Sequence, residues 1–508
     1  MKSRLGTGAL VVAAGLLGAG PAPAQSVQNV VLRNSFNPVG AGARGLGMGG
    51  AFIAVADDGT AASFNPAGLS QLRRTELAAV GFTDDLTSTL LIPHADGTVQ
   101  SKESKTRHSR PDFVGLAVPF EVGGKNLTVQ LSYQRSVDLI GKGEATVQDT
   151  VKLSEIEPGL TGTGDFIADI TPEQSGAFHT VSLSAGYEVT SRLSLGTSIN
   201  YWIGDWTARG NDSFRLRVKA PGSATRAEVP LFNTQFDQKQ SVRALSVNLG
   251  LLLKYPRVSL GAVLRMPFVG DYELAEDDVL TSFVQGKPQD PTPASVGVTS
   301  RLHWPRSVGA GLALRPFKGL TLAADYTNSR WSQTFLEDVP AGALLTPVKT
   351  GPSGEREDSF NSRNFFDLLP ASQTATRNTS LWRAGGEYLA VLPRIVIPFR
   401  GGLFRDRSPI AELGTDEGKL IKGWTAGSGL NFSRLVLDVA YERRSSEGRV
   451  FLRLQRGQPV QTAGNVSTEK VRQDRIVASL IYRAGGSDDP IKRLLHSIFV
   501  GPREKDQP

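Results

Sequence analysis

The sequence has no cysteine, only five dispersed histidines and, beyond its first 24 residues, no run approaching about 18 continuous apolar residues. The lack of cysteine excludes a disulfide-stapled exported fold, and the lack of long apolar runs excludes spanning helices from the rest of the chain. No histidine pair has a metal-ligand spacing, and His179 at a predicted strand start has no serine context. We therefore expect no metal, no cofactor and no enzymatic activity.

The net charge is also small for a chain of this length. The formal net charge is +7, falls to +5 without Lys2 and Arg4, and the basic residues are scattered. A nucleic-acid-binding face needs clustered lysine and arginine, so we expect no nucleic-acid partner.

The first 24 residues read as a secretory signal peptide. Lys2 and Arg4 precede the uncharged apolar run Ala9–Gly20, and Ala22-Pro23-Ala24 supplies a small-x-small cleavage site. A membrane anchor is the weaker alternative, because the run is shorter than the roughly 20 residues of a spanning helix. The pattern predicts an exported protein cut before Gln25.

From about residue 75 onward, apolar residues recur with a period of two, which is typical of strands. Between residues 192 and 206 one face carries Leu193, Leu195, Ile199, Tyr201 and Ile203, and the other carries Ser194, Gly196, Ser198 and Asn200. The second face is small or polar, which a soluble core would not favour.

Short and long connections alternate between the predicted strands. The short ones are Gly123-Gly124-Lys125, Thr190-Ser191, Tyr255-Pro256-Arg257, Lys318-Gly319, Leu392-Pro393 and Ser433-Arg434. The long ones cover about 83–110, 139–177, 207–241, 270–300, 333–377, 406–419 and 446–473. Outer-membrane barrels have short periplasmic turns and long outer loops, whereas a soluble β-sandwich does not sort its loops this way. The pattern predicts an all-β, 14-stranded antiparallel transmembrane β-barrel over residues 75–484, in the outer membrane and in contact with its lipid.

A barrel of this size encloses more space than its own side chains fill. Residues 25–74 are the sizeable segment outside the strand pattern, and they contain closely spaced glycines, including Gly47, Gly49 and Gly50. Glycine permits close approach of two backbones, so we expect this segment to form a hatch that plugs the lumen. A dinucleotide site is not supported, because no βαβ unit follows the glycines.

The segment GARGLGMGGAFIAVADDGTAASFNPAGLSQL, residues 42–72, resembles the N-terminal hatch of the FadL/TodX family of outer-membrane transport proteins. The best-matching residues of this hatch are Asp57, Asp58, Asn65, Pro66, Ala67 and Gly68. The resemblance implies passive uptake of a hydrophobic small molecule, such as a long-chain fatty acid or an aromatic hydrocarbon. It implies capture among outer loops, binding in the lumen, and lateral exit gated by the hatch.

Two alternatives to this transport function remain. Barrels of the PorV type, which serve protein secretion, share a similar N-terminal stretch and would move no small molecule. A nonspecific porin is disfavoured, because a hatch of this length would obstruct bulk flow.

A fatty acid needs a cation for its carboxylate, and an arginine fork suits this role. Strand parity predicts three arginines that point into the lumen: Arg265, Arg383 and Arg400. Their alternative role is to brace the lumen by pairing with Asp325, Asp438 or Glu442.

Apolar residues in the predicted outer loops are candidates for first capture of the ligand, and the alternative is that the loops fold over and bury them. They are Phe232, Phe236, Phe365, Phe366 and Leu368. Prolines within strands, Pro267 and Pro398, could mark either a bulge or a break in pairing, and a lateral exit requires such a break.

The C-terminal residues 485–508 follow the last predicted strand. Ile491, Leu494, Leu495 and Ile498 have helical spacing. We expect a short periplasmic helix against the barrel rim, or a docking tail for a periplasmic partner.

Overall fold

Antiparallel strands make up most of the chain that the structure, a computed structural model, describes. The described residues are 36–37, 39–93, 97–153, 162–219, 226–284, 286–337, 376–411, 417–450 and 467–484. The predicted signal peptide 1–24 and C-terminal tail 485–508 lie outside them. No helix among these residues is long and apolar enough to cross a membrane.

The strand segments are β1 (Glu76–Pro93), β2 (Val99–Val122), β3 (Lys125–Asp138), β4 (Gly141–Lys142), β5 (Ala145–Lys152), β6 (Thr163–Ile170), β7 (Glu173–Glu188), β8 (Leu193–Lys219), β9 (Arg226–Lys254), β10 (Val258–Arg265), β11 (Phe268–Val284), β12 (Lys287–Pro288), β13 (Thr292–Trp304), β14 (Ser307–Leu314), β15 (Leu320–Ser329), β16 (Phe335–Leu336), β17 (Thr379–Val391), β18 (Val396–Ala411), β19 (Gly418–Asn431), β20 (Leu435–Val450) and β21 (Ser467–Arg483).

These segments form a closed antiparallel barrel of 14 wall strands, as the alternation of connections predicts. Segments β10 and β11 are two parts of one wall strand, and β13 and β14 are two parts of the next. Pairing of β1 with β21 closes the circuit. The remaining short segments extend these ladders: β4 pairs with β7, β5 with β6, β6 with β8, β12 with β11 and β16 with β13.

The two faces of the wall differ as the sequence predicts. Leu183 and Leu195 point outward with 55% and 45% of their surface exposed. Ser184 and Ser198 point inward, are buried and hydrogen-bond to each other at 2.7 Å. The apolar face therefore meets lipid, and the small polar face lines the lumen.

All six predicted short turns lie between consecutive wall strands. Between β2 and β3, for example, Gly123 and Gly124 have φ angles of 59° and 70°, a region that glycine enters without steric cost.

The predicted bounds of the long outer loops are wrong. In place of a loop over 207–241, β8 runs to Lys219 and β9 starts at Arg226, and the two pair almost to their tips. The interval 139–177 likewise contains β5 and β6. In these extensions the inner residues pack together, as Phe214 does on Phe232 at 4.4 Å, while outward residues are polar. Strand geometry thus continues above the apolar band, where the outward face meets water.

The hatch lies inside the barrel. It contains α1 (Ala43–Gly47), α2 (Ala61–Phe64) and a 3₁₀ helix (Pro66–Gln71), and most of its residues from 39 to 72 are buried. Inward-facing glycines of the wall let the hatch backbone approach. A Cβ on Gly196 would lie 2.3 Å from the Ala67 nitrogen, and one on Gly402 would lie 2.2 Å from the Gly49 nitrogen.

We expect Gly196→Val to displace the hatch, because the new side chain would overlap its backbone. Single-channel recording in a planar bilayer should then show higher ion conductance than the unchanged protein. Gly297→Val is the matched control, since Gly297 in β13 has nothing within 4 Å of its Cβ position. Unchanged conductance in a folded Gly196→Val barrel would contradict this close fit.

Candidate functional site

Wall side chains hydrogen-bond the backbone of the hatch. The Asp325 carboxylate accepts from the amides of Phe52 and Ile53 at 2.7 and 2.9 Å. The Thr425 hydroxyl accepts from the Gly49 amide and donates to the Gly47 carbonyl, both at 2.9 Å. The irregular hatch backbone therefore finds its partners in the lumen wall.

The predicted turn at Asn65, Pro66, Ala67 and Gly68 opens the 3₁₀ helix and is part of this attachment. Asn65 caps the helix by accepting from the Ala67 amide at 3.1 Å, and it donates to the Leu251 carbonyl of β9 at 3.0 Å. One side chain thus sets the turn and fastens it to the wall.

Buried ion pairs join the hatch to β17. Arg44 makes a two-pronged contact with Glu387, with both N–O distances 3.0 Å. The same guanidinium contacts Asp57 at 2.6 Å and Asp58 at 3.6 Å. Asp58 also accepts from the Thr60 backbone and hydroxyl at the start of α2. The adjacent aspartates of the hatch motif therefore hold the arginine that anchors the hatch.

The sequence correctly orients the three candidate arginines toward the interior, but the structure gives them different surroundings. Arg400 is buried and pairs with Glu387 at 2.7 Å and with Asp438 at 2.6 Å. Arg383 packs against Gly50 of the hatch and donates to its carbonyl at 3.5 Å. Both are engaged with the hatch or with its anchor.

Arg265 differs because it faces a cavity. Its Nη1 atom is buried and has no hydrogen-bond partner, and among the described residues no carboxylate forms an ion pair with it. The cavity lies between the hatch residues Phe36 and Ser63 and the inner face of the wall. An unpaired buried guanidinium group is costly, so this position favours an anion.

The cavity has one aromatic side and one polar side. Trp202, Phe268 and Trp304 form a cluster of three rings, with centroid distances of 5.4 Å from Trp202 to Phe268, 5.9 Å from Phe268 to Trp304 and 6.0 Å from Trp202 to Trp304. Serine, threonine and asparagine side chains line the other side: Ser132, Ser136, Thr180, Ser182, Ser198, Asn200, Ser246 and Asn248. An amphiphile with an anionic head and an apolar body matches this division.

The wall is interrupted beside the cavity. No β-pairing joins Met266 and Pro267 to Pro305 and Arg306, although the strands pair on both sides with the same register. Pro267 and Pro305 occupy opposite positions, and neither has an N–H to donate. Met266 lines the cavity and is also 42% exposed on the outside of the wall. The other candidate, Pro398 of β18, pairs with Leu389 on one side, but no β-pairing joins Ile397 and Pro398 to Gly429 and Leu430 on the other side. That second gap does not border the cavity that Arg265 faces.

Two of the candidate capture residues do not lie in a loop. Phe232 and Phe236 belong to β9, and their side chains pack inside the outer extension rather than on a loop surface. The apolar residues around them alternate as in a strand, so the predicted loop over 207–241 is in fact a continuation of the strand. Phe365, Phe366 and Leu368 lie outside the described residues.

Sequence reasoning missed one buried cluster. Asp84, His108 and Asp138 come from three neighbouring strands, and their ligand atoms lie within 4.8 Å of one another. Arg475 donates to both oxygens of Asp84 at 2.7 Å, and Arg135 contacts Asp138. The two arginines neutralise the carboxylates, which indicates an ion-pair brace. Only the strand register brings these residues together, so no sequence spacing reveals them.

The fold has known counterparts. No family model and no characterised protein sequence matches the chain significantly. Among solved structures, a Pseudomonas aeruginosa FadL homologue aligns with a TM-score of 0.53 and 14% identity, over 87% of this chain and 98% of that one. The chain has the FadL/TodX fold. The P. putida toluene transporter TodX gives a TM-score of 0.52 at 14% identity, over 89% of this chain and all of its own. The fold that the resemblance of residues 42–72 implies is therefore confirmed.

We expect Glu387→Gln to destabilise the barrel by about 3–5 kcal/mol, because Arg44 and Arg400 would lose their shared buried partner. Urea unfolding in detergent measures the difference. Glu188→Gln is the control, since its pair with Arg73 lies at the surface and should contribute no more than about 1 kcal/mol. Equal losses in the two variants would contradict a special role for the buried network.

Proposed function

We propose that this protein carries hydrophobic carboxylates passively across the outer membrane. The unpartnered Nη1 of Arg265 in the lumen cavity is the observation that carries the proposal. The barrel fold, with the signal pattern of residues 1–24, supports export to the outer membrane, where the ligand would meet the outer extensions first.

Arg265 is the cation best placed to receive a carboxylate. Arg400 has two carboxylate partners and Arg383 packs on the hatch, so a ligand would compete with existing contacts at either. At Arg265 a ligand would instead supply the hydrogen-bond partner that the Nη1 atom lacks. A charge-assisted hydrogen bond in a partly dehydrated site contributes about 1.5–3 kcal/mol.

The apolar part of the ligand would lie against the aromatic side of the cavity. Trp202, Phe268 and Trp304 offer flat apolar surfaces that accept a ring or an acyl chain without a fixed shape. A neutral hydrocarbon would use these contacts alone and would bind more weakly. TodX is a toluene transporter, which makes such hydrocarbons the second ligand class.

Exit would take place sideways, between the two interrupted strands. The cavity reaches the break through Met266 and Pro305, so a ligand held by Arg265 lies beside a part of the wall where the backbone hydrogen bonds between the two strands are missing. Passage into the membrane avoids the hatch, which is fastened along the wall. The competing function in protein secretion would be favoured by a wide, polar, open lumen.

We expect Arg265→Gln to weaken oleate binding about 10- to 100-fold, since it removes the charge opposite the carboxylate. Equilibrium binding to the purified full-length protein in detergent measures the change. Arg265→Lys, which keeps a positive charge, should retain part of the affinity. Binding of a neutral aromatic hydrocarbon should change less than threefold in either variant.

The outcomes separate the ligand classes. If oleate binds equally well to Arg265→Gln, the carboxylate contact proposed here is wrong. If only the hydrocarbon binds saturably, the ligand is neutral. If neither binds, transport loses its support and protein secretion becomes the function to test.

We expect a disulfide between Met266→Cys and Arg306→Cys to block uptake by intact cells but leave oleate binding unchanged. The two positions are opposite across the break, about 5 Å apart at Cα, which a disulfide spans. The control pair is Leu260→Cys with Leu312→Cys, opposite residues in the intact part of the same strand pair. The native chain has no cysteine to interfere. Uptake that persists through the oxidised break would rule out exit at this place.

A further inference from the structure

A row of polar, mostly basic side chains crosses the outer surface of the wall over β18, β19, β20 and β21. Arg405 lies directly opposite Lys422 in the strand register. Lys422 faces Ser445 on the next strand, and Ser445 faces Arg472. All four side chains are exposed. We call these four residues the basic patch, which spans about 14 Å across the strands.

Two cations of the basic patch have no acidic partner. Within the part of the chain that the structure describes, no carboxylate forms an ion pair with Arg405 or Lys422. The next arginine along β18, Arg407, does pair with Glu417 at 2.7 Å. Like charges directly opposite on neighbouring strands destabilise a sheet. An anion in contact with both side chains would remove that repulsion.

The far end of the basic patch remains positive although acidic side chains lie near it. Asp474 contacts Arg472 at 2.9 Å and Arg443 at 2.6 Å, so one carboxylate serves two guanidinium groups. Glu447, two residues from Ser445, is neutralised by Lys470 at 3.5 Å. The surplus charge extends the positive field along the row. An extended anionic surface would be attracted more strongly than a single small anion.

Aromatic and apolar residues place the basic patch at the level of the lipid headgroups on the outer side of the membrane. Trp382 is directly opposite Arg405 and is 58% exposed. Two residues closer to the membrane centre on the same face, Leu403 and Trp424 are opposite each other and are 65% and 43% exposed. Exposed tryptophans mark the girdle where a barrel passes from the hydrocarbon region to the headgroups. The cations therefore lie at headgroup level, with apolar side chains beneath for acyl chains.

We propose that the basic patch binds the phosphate of an anionic lipid in the outer leaflet. The Arg405 guanidinium fork and the Lys422 ammonium contact phosphate oxygens from adjacent strands, and the Ser445 hydroxyl donates a further hydrogen bond. The acyl chains lie against Leu403 and Trp424. This site is on the lipid-facing surface of the wall, whereas the cavity is on the lumen surface. The lipid site therefore does not depend on the proposed transport.

The test is equilibrium binding of lipid A that carries two phosphates to the purified full-length protein in a neutral detergent. We expect the double variant Arg405→Gln, Lys422→Gln to raise the Kd about 30-fold, since each cation near a lipid phosphate contributes about a factor of five. Lipid A without phosphates should bind the unchanged protein as weakly as the phosphorylated form binds the variant.

The matched control is the double variant Arg209→Gln, Arg243→Gln. It removes the same net charge from the outward face of β8 and β9, but there each arginine is paired, with Asp237 and Asp205 respectively. We expect its Kd to change less than threefold. Equal weakening in both double variants, or equal binding of dephosphorylated lipid, would overturn the site. Complete displacement of lipid A by excess inorganic phosphate would show a simple anion site and overturn the assignment to lipid. Oleate affinity should stay the same throughout, which separates this result from the proposed transport.

Discussion

The structure depends on one constraint: a backbone that crosses lipid must satisfy all of its hydrogen-bonding groups within the protein. Closure of the sheet through β1 and β21 meets that requirement for the wall, but it creates a bore that side chains alone do not fill. The hatch fills the bore with irregular backbone, which has its own unpaired groups. Asp325 and Thr425 of the wall bond such groups, so the polar lumen face is the hydrogen-bonding complement of the hatch.

Sequence alone could predict the strand number, the turns and the position of the hatch, because each rests on local signals. Alternating residues such as Leu183 and Ser184 identify the faces without knowledge of the partner strand. The outer extensions were missed for a physical reason. Above the membrane band the outward residues become polar, so the contrast that defines a lipid-facing strand disappears, although pairing between β8 and β9 continues.

The site was only partly predictable. Parity placed Arg265, Arg383 and Arg400 inside, but parity contains no information about which acidic side chain sits on the neighbouring strand. Arg400 is paired because the register brings Glu387 opposite to it and the strand beyond β19 supplies Asp438. The register instead places Asn248 and Ser307 opposite Arg265, and neither is acidic. Whether a lumen arginine forms an ion pair or stays unpaired therefore depends on the strand register between residues far apart in sequence. The same register brings Asp84, His108 and Asp138 together.

The facing prolines 267 and 305 have a consequence for how the wall seals. Elsewhere a thermal opening between strands can close again by re-forming its hydrogen bonds, so the sealed state is the low-energy state. At this rung neither strand has a donor, and no motion that keeps the register can supply one. At this place the wall is sealed by the packing of side chains such as Met266 and Trp304. Replacement of one such side chain would therefore change how tightly the wall is sealed here without breaking a backbone hydrogen bond of the barrel.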